Sequence, residues 1–282
     1  MDITPSIEAF DARVEALLAW LQDHAGFVFN AIRYALEAFH SVFLWVLGTP
    51  SPYLVVAVTA GLGLWLVGWR FAVLATVGLL LCQVMGLWGV TMDTLALVVA
   101  ATTMALVIAL PLGIVAGYHP KLDKLGEPVL DLLQTLPPYI YLLPAIALLG
   151  YGPATSLVAT VLVAIAPALR LTSLGIRMTP NEFLELGNAN GIGPVQMFFK
   201  IRLPFAVPSI MAGVNQSLMM AFGMVVIAGI VGSGGLGQTI YEAIRTLDIA
   251  KSIDATIAIV ILTMVLDRLT QSAATKKAGA AA

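Results

Sequence analysis

From about Pro52 to Asp267 the chain is a succession of long apolar runs separated only by short polar stretches. That pattern reads as consecutive membrane spans, not as amphipathic elements around a soluble core. Seven runs fit: Tyr53 to Trp69, Phe71 to Trp88, Thr94 to Tyr118, Val129 to Leu149, Ser156 to Ile176, Phe205 to Val231 and Ile253 to Leu266. The first and last are short against the roughly 17 to 25 residues of a spanning helix, so tilt, partial burial or extension by flanking residues is expected. Pro111, Pro137, Pro138, Pro144 and Pro167 fall inside these runs. Each removes a backbone donor and is expected to kink its helix. Upstream, Val14, Leu17, Leu18, Leu21, Phe27, Phe29, Ile32, Ala35 and Phe39 recur at helical spacing among Glu, Asp, Arg and His. This predicts one or two amphipathic helices in the membrane interface, with Trp20 and Trp45 as anchors; a span from Val28 to Leu47 is the alternative. The expected division is an interfacial segment over 1–50, a membrane domain over 51–270 and a frayed polar tail over 271–282.

Composition agrees with this reading. Hydrophobic residues make up 60% of the chain and charged residues 11%, where soluble domains carry about a quarter charged. The net charge of -2 supplies no basic patch for nucleic acid. Cys82 is the only cysteine and lies in an apolar run, while His24, His40 and His119 are scattered. Neither a disulfide framework nor a metal site is therefore expected. The start MDITPSIEAF lacks the features of a cleaved signal and is expected to remain in the mature protein. With the N-terminus outside, Arg70, Lys121, Lys124, Arg170, Arg177, Lys200, Arg202, Arg268, Lys276 and Lys277 fall inside, and Arg13, Arg33, Arg245 and Lys251 outside. That asymmetry fixes the expected orientation, with the C-terminus cytoplasmic.

Candidate chemistry is sparse. Gly232, Gly234 and Gly237 satisfy G-x-G-x-x-G. They end an apolar helix instead of following a strand, so a flexible turn is expected and not a phosphate site. No P-loop sequence is present, so ATP-driven work would fall to another subunit. Asp131, Asp254 and Asp267 lie near span ends, and the absence of mid-membrane acids argues against an ion-coupled carrier. No nucleophile with its base is apparent, so no catalytic site is expected. The longest interior loop, over 178–204, carries Glu182, Glu185, Gly187 and Gly191, then Val195, Phe198, Phe199, Ile201, Leu203 and Pro204. Apolar side chains on a short helix facing the cytoplasm need a partner groove.

Here the sequence resembles a known family. Glu185, Gly191 six residues later, then Ile201, Leu203 and Pro204 reproduce the E-A-A, three residues, G, nine residues, I-x-L-P pattern of ATP-binding-cassette importer permeases. Leu186 and Gly187 stand where that pattern has two alanines. The stretches PVLDLLQTLPPYIYLLPAIALLGYG, ALRLTSLGIR, LPFAVPSIMAGVNQSLMMAFGMVVIAGIVGSGGLGQ and IVILTMVLDRLTQ look like permeases for glycine betaine and proline betaine, with choline permeases as close relatives.

The resemblance implies an all-α, polytopic bundle of the type I importer permease fold, about seven transmembrane helices preceded by an amphipathic one, in a bacterial inner membrane. It implies a homodimer, two cytoplasmic ATPase subunits that bind ATP and magnesium, a periplasmic or lipid-anchored binding protein, and no cofactor in this chain. A pathway at the dimer axis would be lined by the span from Phe205 to Val231, where Asn215, Met219 and Phe222 share a stripe beside Gln216; inter-helix hydrogen bonding is the usual role of Asn and Gln in a membrane helix and the first reading of these two. Gln134 joins these candidates, and Tyr139, Tyr141 and Phe222 are candidates for cation–π contact with a quaternary ammonium. The cargo alternatives are trimethylamine oxide, carnitine or an amino acid. An ATP-independent carrier or channel is the alternative of another class.

Overall fold

The computed structural model describes the backbone over residues 4–280 and side chains over 12–273. The described residues are helical almost throughout, with no strand among them. The helices are α1 (Thr4–Gly48), α2 (Pro52–Leu66), α3 (Trp69–Val84), α4 (Trp88–Tyr118), α5 (Pro120–Thr135), α6 (Tyr139–Leu149), α7 (Pro153–Arg177), α8 (Asn181–Ala189), α9 (Pro194–Met197), α10 (Leu203–Ala228), α11 (Gly235–Thr246) and α12 (Ile249–Ala280). Pro52, Pro120, Pro153 and Pro194 each open a helix, where the missing N–H would have had no intrahelical acceptor and φ is already helical.

The seven expected spans are not alike. Four stretches are long and apolar enough to cross a bilayer alone, within α4, within α7, over Pro194–Val231 and within α12. α2 and α3 have 15 and 16 residues. The expected span from Val129 to Leu149 is broken: α5 and α6 meet at 94°. Pro137 and Pro138 therefore sit in the break and not within a kinked helix. Leu136 is extended there, with ψ 135°, as the residue before a proline prefers. Pro111, Pro144 and Pro167 do lie inside helices. α12 carries the chain in helical form past Gln271 to Ala280, where a frayed tail was expected; residues 281 and 282 and the side chains of Lys276 and Lys277 lie outside the described residues.

The upstream segment is one helix of 45 residues, bent from α2 by 89°. It lies across a single end of the bundle. Gln22 Nε2 donates to the Ala147 carbonyl at the end of α6, a Cβ at Gly150 would stand 3.2 Å from Arg33 Nη1, and Trp45 and Gly48 share a cavity wall with Trp88 at the start of α4. Its apolar side enters the main core through Leu36, with Phe29, Phe39, Phe43 and Leu47 packed against it.

That core joins α4, α7 and α10. Close approach is set by small residues: Cβ atoms at Gly113 and Gly117 of α4 would lie 2.7 Å from Thr172 Cβ and Ile176 Cβ of α7, and one at Gly213 would meet Ala168 Cα at 3.1 Å. In lipid, where apolar tails give helices little hydrophobic reason to associate, such contact is the main source of packing energy.

α5 is fastened to α7 by charge. Asp131 pairs with Arg170, and two helical turns away Asp123 accepts a hydrogen bond from Ser173 Oγ at 2.6 Å. The second Asp123 oxygen meets Arg177 Nη1 at 2.5 Å, an ion pair that lacks hydrogen-bond geometry. The Asp123 side chain is 8% exposed and that of Arg177 36%. Removing the guanidinium would strand a buried carboxylate, whereas removing the carboxylate leaves a cation that water can reach. Arg177→Ala is therefore expected to destabilise the purified protein by roughly 2–3 kcal/mol and Asp123→Asn by clearly less. Denaturant titration in detergent measures both, and an equal or reversed order would mean that the pair does not hold α5.

Candidate functional site

At the end of the bundle away from α1, α7 runs into α8, a turn, α9 and then α10. Asn190 caps α8 and Gly191 turns the chain at φ +69°. The Ile192 N–H returns to the Gly187 carbonyl at 3.0 Å and the Gly191 N–H to that of Asn188 at 3.0 Å, closing a glycine-terminated helix end. From Pro194 the chain is helical through to Ala228, but Phe198–Arg202 forms a wide π turn in which the Leu203 N–H reaches the Phe198 carbonyl. Such turns are rare and tend to mark functional positions.

This arrangement gathers aromatics around a groove. A cavity of about 800 Å³ is walled by Pro111, Ile114, Val115 and Tyr118 of α4 and by Leu184, Ile192, Val195, Met197, Phe198 and Phe199. Phe198 lies 6.5 Å from Tyr118 and 4.8 Å, edge-on, from Phe199. Arg202 stands over the Tyr118 ring at 4.6 Å and donates to the Ile176 carbonyl at 3.2 Å. Val195 and Phe199 are 70% and 61% exposed, while Met197 is buried. Glu182 and Glu185 are exposed on α8, and Ile201, Leu203 and Pro204 are half-buried where α9 passes into α10.

Gly187, where the family pattern has alanine, has a local explanation. A Cβ there would lie 2.7 Å from Met197 Cε and 3.0 Å from Ile201 Cδ1, so the bare backbone of α8 seats against these two side chains. Met197 Cε is the end of a flexible chain that can swing aside. Gly187→Ala is therefore expected to cost less than about 1 kcal/mol of stability, and Gly187→Leu about 1–3 kcal/mol by prising α8 from α9. Denaturant titration in detergent checks both; a large loss in the alanine variant would show that the contact is rigid.

The residues proposed for a pathway do not share one environment. The Asn215 Oδ1 accepts from Thr270 Oγ1 at 2.9 Å, joining α10 to α12. Phe222 is buried in the main core, while Gln216 and Met219 are exposed. The Tyr141 hydroxyl donates to the Leu132 and Leu133 carbonyls and so pins the α5–α6 corner. Tyr139 is exposed and Gln134 half-buried on either side of that corner.

The glycine run after α10 is a packed joint, not a flexible turn. Gly232, Gly234 and Gly235 have φ of 72°, 80° and 75°, as the turn reading requires. Yet a Cβ at Gly229 would stand 2.1 Å from the Gly237 carbonyl carbon, and one at Gly237 would stand 2.5 Å from the Val225 carbonyl oxygen. The Leu236 N–H is taken by Thr94 Oγ1 at 2.8 Å and that of Gly234 by Gln238 Oε1 at 3.0 Å. Protein acceptors therefore occupy donors that a phosphate would need.

Sequence reasoning missed Asp93. The expected span began at Thr94, but α4 begins at Trp88, which puts this half-buried carboxylate in the second turn of a membrane helix. Recognising Trp88 as the first helical residue would have exposed it.

The family described as "Binding-protein-dependent transport system inner membrane component" matches residues 109–276. The chain is 37% identical to the glycine betaine transport system permease protein OpuAB of Bacillus subtilis, over 98% of each chain. It is 40% identical to the glycine betaine/proline betaine permease ProW of Escherichia coli, over 93% of this chain and 74% of that one. It is 38% identical to the glycine betaine/carnitine permease GbuB of Listeria monocytogenes, over 92% and 93%. Among solved structures, an inward-facing form of the methionine ABC transporter MetNI aligns with TM-score 0.57 at 23% identity, over 70% of this chain and 96% of that one; this establishes the fold. Two opposite ends, a packed glycine joint at one and an aromatic groove with a capped short helix at the other, thus coincide with a family match through the bundle, and the chain belongs to the binding-protein-dependent transport system inner membrane components, as an ATP-binding-cassette importer permease of the glycine betaine and proline betaine group.

Proposed function

We propose that this permease carries a small quaternary amine, glycine betaine, proline betaine or choline, into the cytoplasm, driven by ATP hydrolysis on separate subunits. The observation that carries the reading is the α8–α9 segment, whose exposed Val195 and Phe199 flank a groove that this chain leaves open. An ATPase surface that covers them would turn nucleotide-driven closure into motion of α10, to which α9 is continuous. α10 supplies the face for a second copy and for the pathway: Phe205, Pro208, Ala212, Gln216, Met219 and Gly223 are exposed at three- and four-residue spacing along one side. The N-terminus lies outside and the C-terminus inside, as the Lys and Arg distribution directs. A binding protein then docks at the α1 and α11 end.

The test is reconstitution of the permease with its ATPase and binding protein in vesicles. Uptake of radiolabelled glycine betaine is expected to require ATP, to saturate and to be competed by proline betaine. Uptake without ATP would sink the mechanism. Competition only by carnitine, trimethylamine oxide or an amino acid would replace the cargo and leave the mechanism standing.

A further inference from the structure

At the end covered by α1, a cavity of about 450 Å³ opens between the last turns of α1 and the first two turns of α4. Its wall carries Ser41, Trp45, Thr49, Trp88, Gly89 and Asp93. Asp93 makes no hydrogen bond or ion pair among the described residues, and the wall contains no Lys or Arg to neutralise it. Trp45 is 70% exposed, and Trp88 is half-buried. The N–H groups of Trp88 and Gly89, in the first turn of α4, have no intrahelical acceptor.

A quaternary ammonium cannot donate a hydrogen bond, so it is recognised by indole faces and by a carboxylate that has no cation of its own. A ligand with an anionic end would also find the open N–H groups beside it. We propose that this cavity binds a trimethylammonium zwitterion, its cation held by Trp45, Trp88 and Asp93 and its anionic end turned to the first turn of α4. The occupant rests on the betaine reading given above. The site lies at the opposite end of α4 from Pro111 and Tyr118 of the coupling groove, so it would receive solute before the bundle changes shape. A free betaine and a phosphocholine headgroup share this chemistry.

The experiment is equilibrium binding of radiolabelled glycine betaine to the full-length permease in nanodiscs of phosphatidylethanolamine and phosphatidylglycerol, without ATPase or binding protein. Saturable binding is expected, weakened roughly three- to thirtyfold by Trp45→Leu and at least as much by Asp93→Asn. Trp45→Phe, which keeps a π face, should retain most of it, separating ring chemistry from packing. Displacement on adding phosphatidylcholine would assign the site to a lipid headgroup, and indifference to that lipid would assign it to the free solute. No saturable binding, or binding in Asp93→Asn and Trp45→Leu as tight as in the wild type, would overturn the proposal. ATP-driven betaine uptake by the assembled complex with no binding to the permease alone would sink the cavity and spare the transport reading. Binding without such uptake would do the reverse.

Discussion

Gly229→Ala is expected to destabilise the folded permease by at least about 3 kcal/mol, the upper range for overpacking. The added carbon would stand 2.1 Å from the Gly237 carbonyl carbon and 2.4 Å from the Gln238 nitrogen. Both are backbone atoms, so no side chain can swing away. The only relief is to separate the end of α10 from the start of α11, which would also loosen the Leu236 N–H from Thr94 Oγ1 and lift Leu236 from its cluster with Cys82, Ala255 and Ala258. Denaturant unfolding in detergent, with yield from the membrane as a second readout, measures the loss. Gly61→Ala in α2 is the control, since a Cβ there meets nothing within 4 Å and needs no unusual backbone angle; it should be neutral within about 0.5 kcal/mol. Similar stability in the two variants would show that the joint opens freely.

The second large effect is on coupling. Phe199→Asp would put a charge on an exposed aromatic position that the proposed ATPase contact must bury, at a cost of several kcal/mol if the carboxylate stays ionised. Its exposure in this chain means that the bundle itself should fold and insert normally. ATP hydrolysis stimulated by substrate and binding protein is expected to fall at least tenfold, together with co-purification of the ATPase. Phe198→Asp should be as severe but less selective, because that ring already packs between Tyr118 and Phe199. Gly191→Val tests the same segment through the backbone: φ +69° with open space around it makes strain the only penalty, about 1–3 kcal/mol, local to the turn. Full stimulated activity in Phe199→Asp and Gly191→Val, against a Lys277→Ala control, would reduce α8 and α9 to an ordinary connector.

The long helices α4, α7, α10 and α12 were legible because a continuous apolar run of that length leaves few alternatives. Gly191 was legible too, since the motif put a glycine where a short helix must end. What the linear pattern could not show is where an apolar run turns. Val129 to Leu149 reads as one helix, yet Leu136 adopts extended backbone before two prolines and the axis turns by 94°. The joint between Gly229 and Gly237 depends on two backbones meeting after a reversal, a contact that hydrophobicity does not encode. Phe222 fits a helical stripe with Asn215 and Met219, but burial depends on which neighbour each side of α10 meets, and Phe222 falls in the main core. Conversely, beyond Pro5 in its first turn α1 has only Gly26 as a helix-weakening interruption before Gly48, so its continuity follows from the absence of any strong stop signal.

The wide turn at Phe198–Arg202 has a rotational meaning. A turn that spends one residue more than an α turn offsets everything before it by about 100° around the helix axis. The azimuth of Val195 is thereby set independently of the azimuth of Gln216 and Met219, although all three ride on one unbroken rod. A slip of that single turn between wide and normal pitch would re-aim the groove-side segment like a wrist, while the membrane face of α10 kept its heading.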